Sequence, residues 1–250
     1  SFTEMKIESI TTEDVVNNDK DSIFFVTTDS ANTTNFGTDN YAATNILNYI
    51  TFTFPDGTAA DVWYCRVNGS VARFFIRTGG TNLNINTLPV GSVITIKPGF
   101  RILATEAVQT EVSFVYNGEE WSEYKGTAIT VPARISTVAK GNGNASYPIT
   151  LSVSTNMLNL GSLASLKADT TKVTYTRGDK SVNVGVVQGY GKNLLMYFAS
   201  SNDLALTQNA PEKGDILKIS AGFTFNSVSK SCVYKTSIDY VFVYGDNGFE

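Results

Sequence analysis

The sequence predicts an all-β protein of two tandem duplicated antiparallel β-sandwich (immunoglobulin-like) domains with short helical segments. First, residues 50–102 align with residues 173–225 without a gap, at an offset of 123 positions. Second, alternating apolar and polar runs between turn residues recur at the short spacing typical of sandwiches. Third, hydrophobic residues make up 42% of the 250 residues, enough for two cores. We therefore predict one domain at 1–125 and a second at 126–250.

The alignment also sorts residues by role. Phe75 falls on Phe198 and Gly91 on Gly214, and the register resumes at an offset of 128, where Trp121 falls on Phe249. About 120 residues can bury a core alone, so each copy is a domain and not a solenoid repeat. Residues that both copies share are interpreted as scaffold, and residues found in one copy are candidates for function.

Each copy is predicted to begin with the same three elements. An entry strand (22–27 and 147–154) precedes a short helical segment (Asn40 to Asn48 and Leu160 to Lys167). An alternating aromatic strand (49–54 and 172–177) follows and ends at turn residues.

A hairpin comes next. In copy one, residues 60–67 and 71–77 flank Asn68-Gly69, the pair that a two-residue turn prefers. In copy two, residues 181–188 and 194–199 flank a longer turn over residues 189–193. A turn at Asn68-Gly69 sets Trp63 opposite Phe74.

The last predicted elements are two further strands. The motif at 89–100 matches 212–223, and its glycines are predicted to hold positive-φ corners around a buried strand. Aromatic strands at 112–116 and 240–244 end the copies, and the domains join within 125–146.

Composition and charge exclude several function classes. A net charge of −4 with 19 Lys and Arg residues argues against nucleic acid as a partner. No apolar run approaches the roughly 18 residues of a membrane span, so we expect no membrane insertion. The Thr, Ser, Asn and Gly content is typical of a secreted or surface-displayed β protein, although the first residues do not read as a signal peptide.

Catalytic chemistry has few candidates. The chain has no histidine, which excludes a Ser-His-Asp triad and histidine metal sites. Cys65 and Cys232 stand at non-equivalent positions and are interpreted as free cysteines, and no phosphate-binding loop occurs. A glycosidase pair of carboxylates remains as an alternative, but nothing singles out a pair. We predict a protein that is not an enzyme and has no cofactor and no metal. The candidate carboxylates are Asp56, Asp61, Glu106, Glu111, Glu119, Glu120, Asp179, Asp203 and Asp215.

Aromatic residues are the remaining candidates for binding. If the shared Phe75 faces the core, Trp63 and Phe74 lie on the opposite face as an exposed platform suited to sugar rings. The alternative is that Trp63 and Phe74 face the other sheet or domain, since buried Trp is usual in sandwiches. Tyr190 in the copy-two turn is the second candidate. The polar partners proposed for hydroxyl groups are Gln188, Asn193 and Asp61.

The runs 91–100 and 112–121, with 214–223 and 240–244, resemble a β-sandwich repeat of large surface proteins of Gram-positive gut anaerobes. Some of those proteins look like starch-adherence proteins. The resemblance covers about the last third of each copy, lies in scaffold positions and transfers no binding residue. The resemblance implies a secreted protein with a function related to glycans, and an α-glucan such as starch as the ligand.

The sequence therefore predicts a secreted or cell-surface, non-catalytic carbohydrate-binding protein. Its expected partners are a polysaccharide or oligosaccharide, with other surface or enzyme-complex proteins as further candidates. The alternative is a structural or protein-binding adhesin or spacer module without glycan binding.

Overall fold

In its described residues the chain is nearly all β, mainly in antiparallel sheets, and it divides into two compact units, unit 1 (Ser1–Ile129) and unit 2 (Thr130–Glu250). The prediction of an all-β protein is confirmed at this level. The fold is known from a computed structural model. It describes residues 2–12, 22–28, 38–41, 49–68, 71–78, 81–82, 88–101, 105–141, 149–153, 167–190, 193–198 and 211–250.

Unit 1 contains one long sheet and one short parallel pair. The sheet order is β12-β11-β9-β5-β6-β7-β3-β2, with β4 paired to β6 and β8 to β7, and β1 pairs with β10. The strands are β1 (Thr3–Glu4), β2 (Ile7–Thr11), β3 (Ser22–Thr28), β4 (Thr38–Tyr41), β5 (Ile50–Thr53), β6 (Ala59–Asn68), β7 (Val71–Thr78), β8 (Thr81–Asn82), β9 (Val93–Ile96), β10 (Glu106–Ala107), β11 (Val112–Tyr116) and β12 (Trp121–Glu123).

Unit 2 contains an eight-stranded sheet and a three-stranded sheet. The orders are β14-β15-β18-β17-β16-β19-β22-β23 and β13-β21-β20. The strands are β13 (Ile129–Pro132), β14 (Ile135–Lys140), β15 (Ile149–Val153), β16 (Val173–Arg177), β17 (Lys180–Tyr190), β18 (Asn193–Phe198), β19 (Ile216–Ile219), β20 (Thr224–Asn226), β21 (Cys232–Lys235), β22 (Tyr240–Gly245) and β23 (Gly248–Phe249).

The two units share one strand order. Read from β23 to β14, the long sheet of unit 2 repeats the β12 to β2 order of unit 1, strand for strand. Backbone hydrogen bonds repeat at aligned positions too. The Gly91 N–H donates to the Tyr116 carbonyl at 2.8 Å, and the Gly214 N–H donates to the Tyr244 carbonyl at 2.8 Å.

In each unit one long strand passes from one half of the sheet to the other. Strand β6 pairs with β5 through Ala59 and Ala60 and with β7 from Asp61 onward. Strand β17 pairs with β16 through residues 180–183 and with β18 through residues 184–190. Both strands contain a register shift, which is the usual sign of a β-bulge that bends a strand.

The core of unit 1 is one cluster of buried residues that come from both ends of its long sheet, among them Ile10 of β2 and Phe114 of β11. Strand β5 alternates buried and half-buried residues, so one face is apolar and packs inward. The Trp121 Nε1–H donates to Thr12 Oγ1 at 2.5 Å and ties the β12 end to residues next to β2. Large core side chains of unit 1 are Phe52, Phe54, Phe74, Ile94, Phe100 and Trp121. Those of unit 2 include Tyr175, Leu194, Leu217, Phe223, Phe225 and Tyr234.

Two groups of local predictions have different outcomes. The glycine corners are confirmed: Gly91 and Gly99 have φ of 98° and 96°, and Gly214 and Gly222 have φ of 94° and 87°. The predicted start of the first helical segment at Asn40 is wrong, because residues 40 and 41 belong to strand β4, where Tyr41 pairs with Arg66. Residues 42–48 and 160–166 lie outside the described residues.

Candidate functional site

The β6–β7 hairpin has a different register from the predicted one. Asn68 and Val71 form the last pair, so the loop consists of residues 69 and 70. Phe74 lies opposite Cys65, and Trp63 falls in the register shift between Val62 and Tyr64. The prediction that Trp63 faces Phe74 is therefore wrong, since a turn that starts one residue later moves every partner on β6 by two positions.

Phe74 belongs to the core of unit 1. Its side chain is 0% exposed, and its ring centroid lies 5.9 Å from that of Phe100. Ile76, two positions along the same strand, is also 0% exposed, so this face of β7 points inward. The predicted exposure of Phe74 is wrong, and the alternative of a buried Phe74 is confirmed.

Trp63 stays a candidate because its position differs from that of Phe74. The structure describes only the backbone of Trp63, which lies at the bulge of β6. Bulges next to binding sites often re-aim a side chain away from the regular alternation. Asp61, also described only through its backbone, pairs with Arg77 two positions before Trp63.

The β17–β18 hairpin is tighter than predicted. Tyr190 pairs with Asn193, so the loop contains two residues and Tyr190 is the last residue of a strand, not a turn tip. Gln188 pairs with Leu195, and the side chains of Tyr190 and Gln188 lie outside the described part of the structure. The Oδ1 atom of Asn193 accepts a hydrogen bond from Ser152 Oγ at 2.7 Å. The interstrand contact thus orients the Asn193 amide at the end of the hairpin.

The candidate carboxylates do not form a metal centre where the structure describes them. No group of three or more Cys, Asp or Glu side chains in the described ranges is arranged to hold a metal ion. Asp56 is a turn residue whose Oδ1 accepts from the Thr58 N–H at 2.9 Å. A groove of about 360 Å³ on unit 1 is lined partly by Glu4, Glu111 and Glu123.

One carboxylate, Asp215, is fully buried and surrounded by donors. Its side chain accepts from Arg177 Nε and Nη2, both at 2.8 Å, and from the Glu212 N–H at 2.7 Å. The Tyr175 hydroxyl donates to the same carboxylate. Arg177 also lies 3.4 Å from a Glu212 carboxylate oxygen. With four donors in place, Asp215 is suited to holding strands together and not to exchanging protons with a ligand.

The pKa values follow from these contacts. Burial alone raises the pKa of the Asp215 carboxyl, but hydrogen bonds from Arg177, Tyr175 and the Glu212 backbone outweigh it and bring the net pKa below its usual value. Burial, together with the bond to Asp215, raises the pKa of the Tyr175 hydroxyl far above its ordinary range. Asp215 is therefore an anion and Tyr175 a neutral donor at neutral pH.

The charged cluster has an apolar counterpart in unit 1. The residues aligned with Tyr175, Arg177 and Asp215 are Phe52, Phe54 and Ser92. Ser92 is buried, and its hydroxyl donates to the Pro89 carbonyl at 2.7 Å. This cluster could have been predicted from the alignment of the two copies. At three aligned positions, unit 2 has Tyr, Arg and Asp where unit 1 has Phe, Phe and Ser.

Cys232 is free and fully buried. Burial raises the pKa of its thiol to about 12, so the thiol is neutral near pH 7. The prediction of a free cysteine is confirmed for Cys232. The side chain of Cys65 lies outside the described residues.

Three of the four exposed large hydrophobic residues in the described part of the chain lie on β22 or just before it. Ile238, Val241 and Val243 are 57%, 54% and 43% exposed, and the fourth exposed large hydrophobic residue is Phe2. Val115 of unit 1, which aligns with Val243, is 0% exposed. The position of Val243 is therefore closed to solvent in unit 1 and open in unit 2.

Comparison with known proteins gives no relative. No family model, no curated protein and no solved structure matches the chain. Among the described residues, no helix is both long and apolar enough to cross a membrane.

Proposed function

We propose that the protein binds carbohydrate without catalysing a reaction, through a site on β6 in which Trp63 provides a ring for stacking. The observation that carries this proposal is the bulge of β6 at Trp63, in the copy that has Trp where the other has Val186. A bulge frees a side chain from the inward and outward alternation of its strand, which suits a ring that contacts a ligand. Asp61 is the nearby group for sugar hydroxyls.

A second contact region lies at the end of the β17–β18 hairpin. Tyr190 ends β17, and the Asn193 amide is held by Ser152. We assign the stacking role there to Tyr190 and hydrogen bonding to Asn193 and Gln188. Binding residues are common at the ends of rigid hairpins, where side chains leave the packed sheet.

The fold behind this proposal is a tandem pair of duplicated β-sandwich modules. The shared strand order and repeated backbone hydrogen bonds support a common origin for the two units. Buried residues from both ends of the unit 1 sheet belong to one core cluster, which supports a sandwich arrangement. We further propose that the protein works outside the cell, on a surface or in an enzyme complex.

The non-catalytic part of the proposal has support from the carboxylates. Asp215 is saturated by four donors, and Asp56 is engaged in its own turn. Glycoside hydrolysis requires two carboxylates across an open cleft, with one able to donate a proton. Neither residue meets that requirement.

The test is retention in an affinity gel that contains starch, the ligand implied by the resemblance. Trp63→Ala should lower retention by roughly 5- to 150-fold, since loss of a stacked ring removes on the order of 1 to 3 kcal/mol by analogy with base stacking. Phe2→Ala, which removes an exposed ring at a different position of unit 1, is the matched control and should retain native binding. Unchanged retention by folded Trp63→Ala would eliminate this site, whereas loss of the fold would place Trp63 in the core.

A structural or protein-binding module is the second candidate. The exposed residues Ile238, Val241 and Val243 favour it, since soluble proteins rarely leave such apolar groups together on a sheet. This candidate predicts no retention on any polysaccharide of a glycan array.

A further inference from the structure

One face of the β14-β15-β18-β17 part of the unit 2 sheet is turned away from the core. In β15, Leu151 is 0% exposed, while its neighbours Thr150 and Ser152 are half-buried. Strand β18 alternates in the same way, with Leu194 at 0% exposure beside the half-buried Asn193. Successive side chains of a strand point to opposite faces of its sheet. Thr150, Ser152 and Asn193 therefore lie on the outer face.

Four polar residues form one row across this outer face. Ser152 pairs with Thr137 of β14 on one side and with Asn193 on the other, and Asn193 pairs with Tyr190 of β17. Directly paired residues of neighbouring strands share a face of the sheet. The members of this polar row are Thr137, Ser152, Asn193 and Tyr190. Three interstrand spacings of about 4.8 Å make the row about 14 Å long, which is longer than one sugar ring.

The Asn193 amide has a fixed orientation in the polar row. The Ser152 hydroxyl donates to Asn193 Oδ1 at 2.7 Å. With Oδ1 engaged, the amide presents its Nδ2 group, which carries two N–H donors and no acceptor. Thr137 is exposed and adds a hydroxyl at the β14 end of the row. Because hydroxyl and ring oxygens of a sugar accept hydrogen bonds, this arrangement suits a carbohydrate chain that passes over the row.

The next row on the same face is less polar. The half-buried Leu195 pairs with Thr150 on one side and with Gln188 on the other, and the exposed Ala139 pairs with Thr150. This second row lies two residues from the polar row, a distance of about 7 Å along the strands. Apolar contact beside a few placed polar groups is the usual composition of a ligand site, and a sugar ring offers both C–H and hydroxyl groups to it.

Unit 1 contains the same row with different chemistry. Read from β2 to β6, its members are Ser9, Thr27, Val71 and Asn68. The first two positions carry hydroxyl groups in both units. At the other two, Val71 stands where unit 2 has Asn193, and Asn68 stands where unit 2 has Tyr190. The oriented amide and the aromatic residue therefore belong to unit 2 alone, and residues found in one copy are the candidates for function.

We infer that the polar row is the binding face for an extended polysaccharide, whose chain lies across the strands with several consecutive sugar units in contact. Ser152 is a positioning residue that holds the Asn193 amide toward the ligand. The inference rests on the proposed function and deepens its second contact region, to which it adds Ser152 and Thr137. A row of this length contacts an internal stretch of a chain and not only a terminal sugar.

Backbone amide chemical shifts of the whole protein locate the ligand. With maltohexaose, a soluble fragment of starch, the amides of Thr137, Ser152 and Asn193 should shift, and that of Thr174 on β16 should not. If the glycan array selects another polysaccharide, its hexasaccharide is the probe. Affinity should rise from glucose through maltose to maltohexaose, because a longer chain covers more of the row.

Three outcomes of this titration would overturn the inference. Shifts near Trp63 with none in the polar row would overturn it and leave the proposed function in place. Equal affinities for the single sugar and the longer chain would exclude an extended ligand. A native protein that binds no glycan of the array would overturn the inference and the proposed function together.

Variants of the polar row test the positioning role, with binding followed at the Thr137 amide, which reports on this site. Asn193→Ala should weaken binding roughly 2- to 10-fold, the effect of one hydrogen bond. Ser152→Ala should also weaken binding, whereas Ser152→Thr, which keeps the hydroxyl, should bind like the native protein. In the Asn193→Ala background, Ser152→Ala should have no further effect, because it acts through the Asn193 amide.

Thr174→Ala removes a hydroxyl from another strand of unit 2 and is the matched control for these variants; it should keep native affinity. The substituted residues of the row lie on the outer face, and the amide spectrum of each variant checks its fold. Native affinity in folded Asn193→Ala would overturn the inference. Additive losses from Ser152→Ala and Asn193→Ala would overturn the positioning role of Ser152.

Discussion

The Tyr175 hydroxyl donates a hydrogen bond to the buried carboxylate of Asp215, and the aligned residues of unit 1, Phe52 and Ser92, cannot form this bond. One strand order thus accommodates a charged cluster in unit 2 and an apolar one in unit 1. Residues at aligned positions of the two units can therefore be exchanged to test what each cluster contributes to stability.

Replacing Asp215 alone should destabilise unit 2. Asp215→Ser leaves the Arg177 guanidinium and the buried Tyr175 hydroxyl without their main acceptor, at a cost of about 3 kcal/mol, the low end for a broken buried pair because Arg177 also reaches Glu212. Amide hydrogen exchange of β16 and β19 measures the loss. A change below about 0.5 kcal/mol would contradict this role for Asp215.

Introducing the aligned unit 1 residues at all three positions of the cluster should recover much of the stability that Asp215→Ser loses. The triple variant Tyr175→Phe, Arg177→Phe and Asp215→Ser reproduces Phe52, Phe54 and Ser92, and leaves no unpaired buried charge. Its β16 and β19 amides should exchange more slowly than those of Asp215→Ser. If the triple variant exchanges faster than the single one, unit 2 cannot accommodate the apolar set.

The same cluster should make unit 2 sensitive to acid. The pKa of Asp215 is lower in the folded protein than its unfolded value of roughly 4, so its stabilisation is present above that value and is lost as pH falls through the folded pKa. Hydrogen exchange at pH 7 and in the acid range measures this effect. The native protein should lose more stability below about pH 4 than the triple variant, and equal losses would contradict the lowered pKa.

The aligned glycines Gly99 and Gly222 should tolerate alanine differently. Both have positive φ, which costs a side chain about 1 to 2 kcal/mol. A Cβ at Gly99 would also lie 2.7 Å from Tyr49 Cε1, whereas one at Gly222 meets only Lys172 Cε at 3.9 Å. Gly99→Ala should therefore lower the free energy of unfolding by about 1 kcal/mol more than Gly222→Ala does, measured by urea titration. Tyr49→Lys in the Gly99→Ala background should remove the excess.

Phe74 should contribute to stability and not to ligand contact. Because its ring is fully buried against Phe100, Phe74→Ala should lower the free energy of unfolding of unit 1 by about 3 to 5 kcal/mol. Urea unfolding followed by Trp fluorescence measures this loss. Phe74→Leu, which keeps most of the volume, should cost clearly less. Equal stability of the native and Phe74→Ala proteins would be incompatible with a core position.

Cys232 should be unreactive in the folded protein. Its thiol is buried and has a pKa of about 12, so little thiolate exists at pH 8. In a Cys65→Ser background, iodoacetamide should alkylate Cys232 at least a hundredfold faster in urea than in buffer. Similar rates in the two conditions would show that the thiol is accessible.

Local patterns in the sequence determined the strands and their corners. Alternation located β5, β11 and β16 to within a residue or two at each end, and the glycines at 91, 99, 214 and 222 marked positive-φ corners. The reason is that strand periodicity and glycine conformations depend on near neighbours in the chain. The all-β class follows from the same patterns.

The tertiary structure alone decided which faces and partners those strands use. A turn displaced by one residue changed the partner of Phe74 from Trp63 to Cys65, and the side chain of Phe74 lies in the core. Asp215 acquired its donors from Arg177 and Tyr175, which are 38 and 40 residues away in the chain. Register and long-range hydrogen bonds depend on which distant strands pair and how they are aligned. The two-residue alternation within one strand does not specify that alignment.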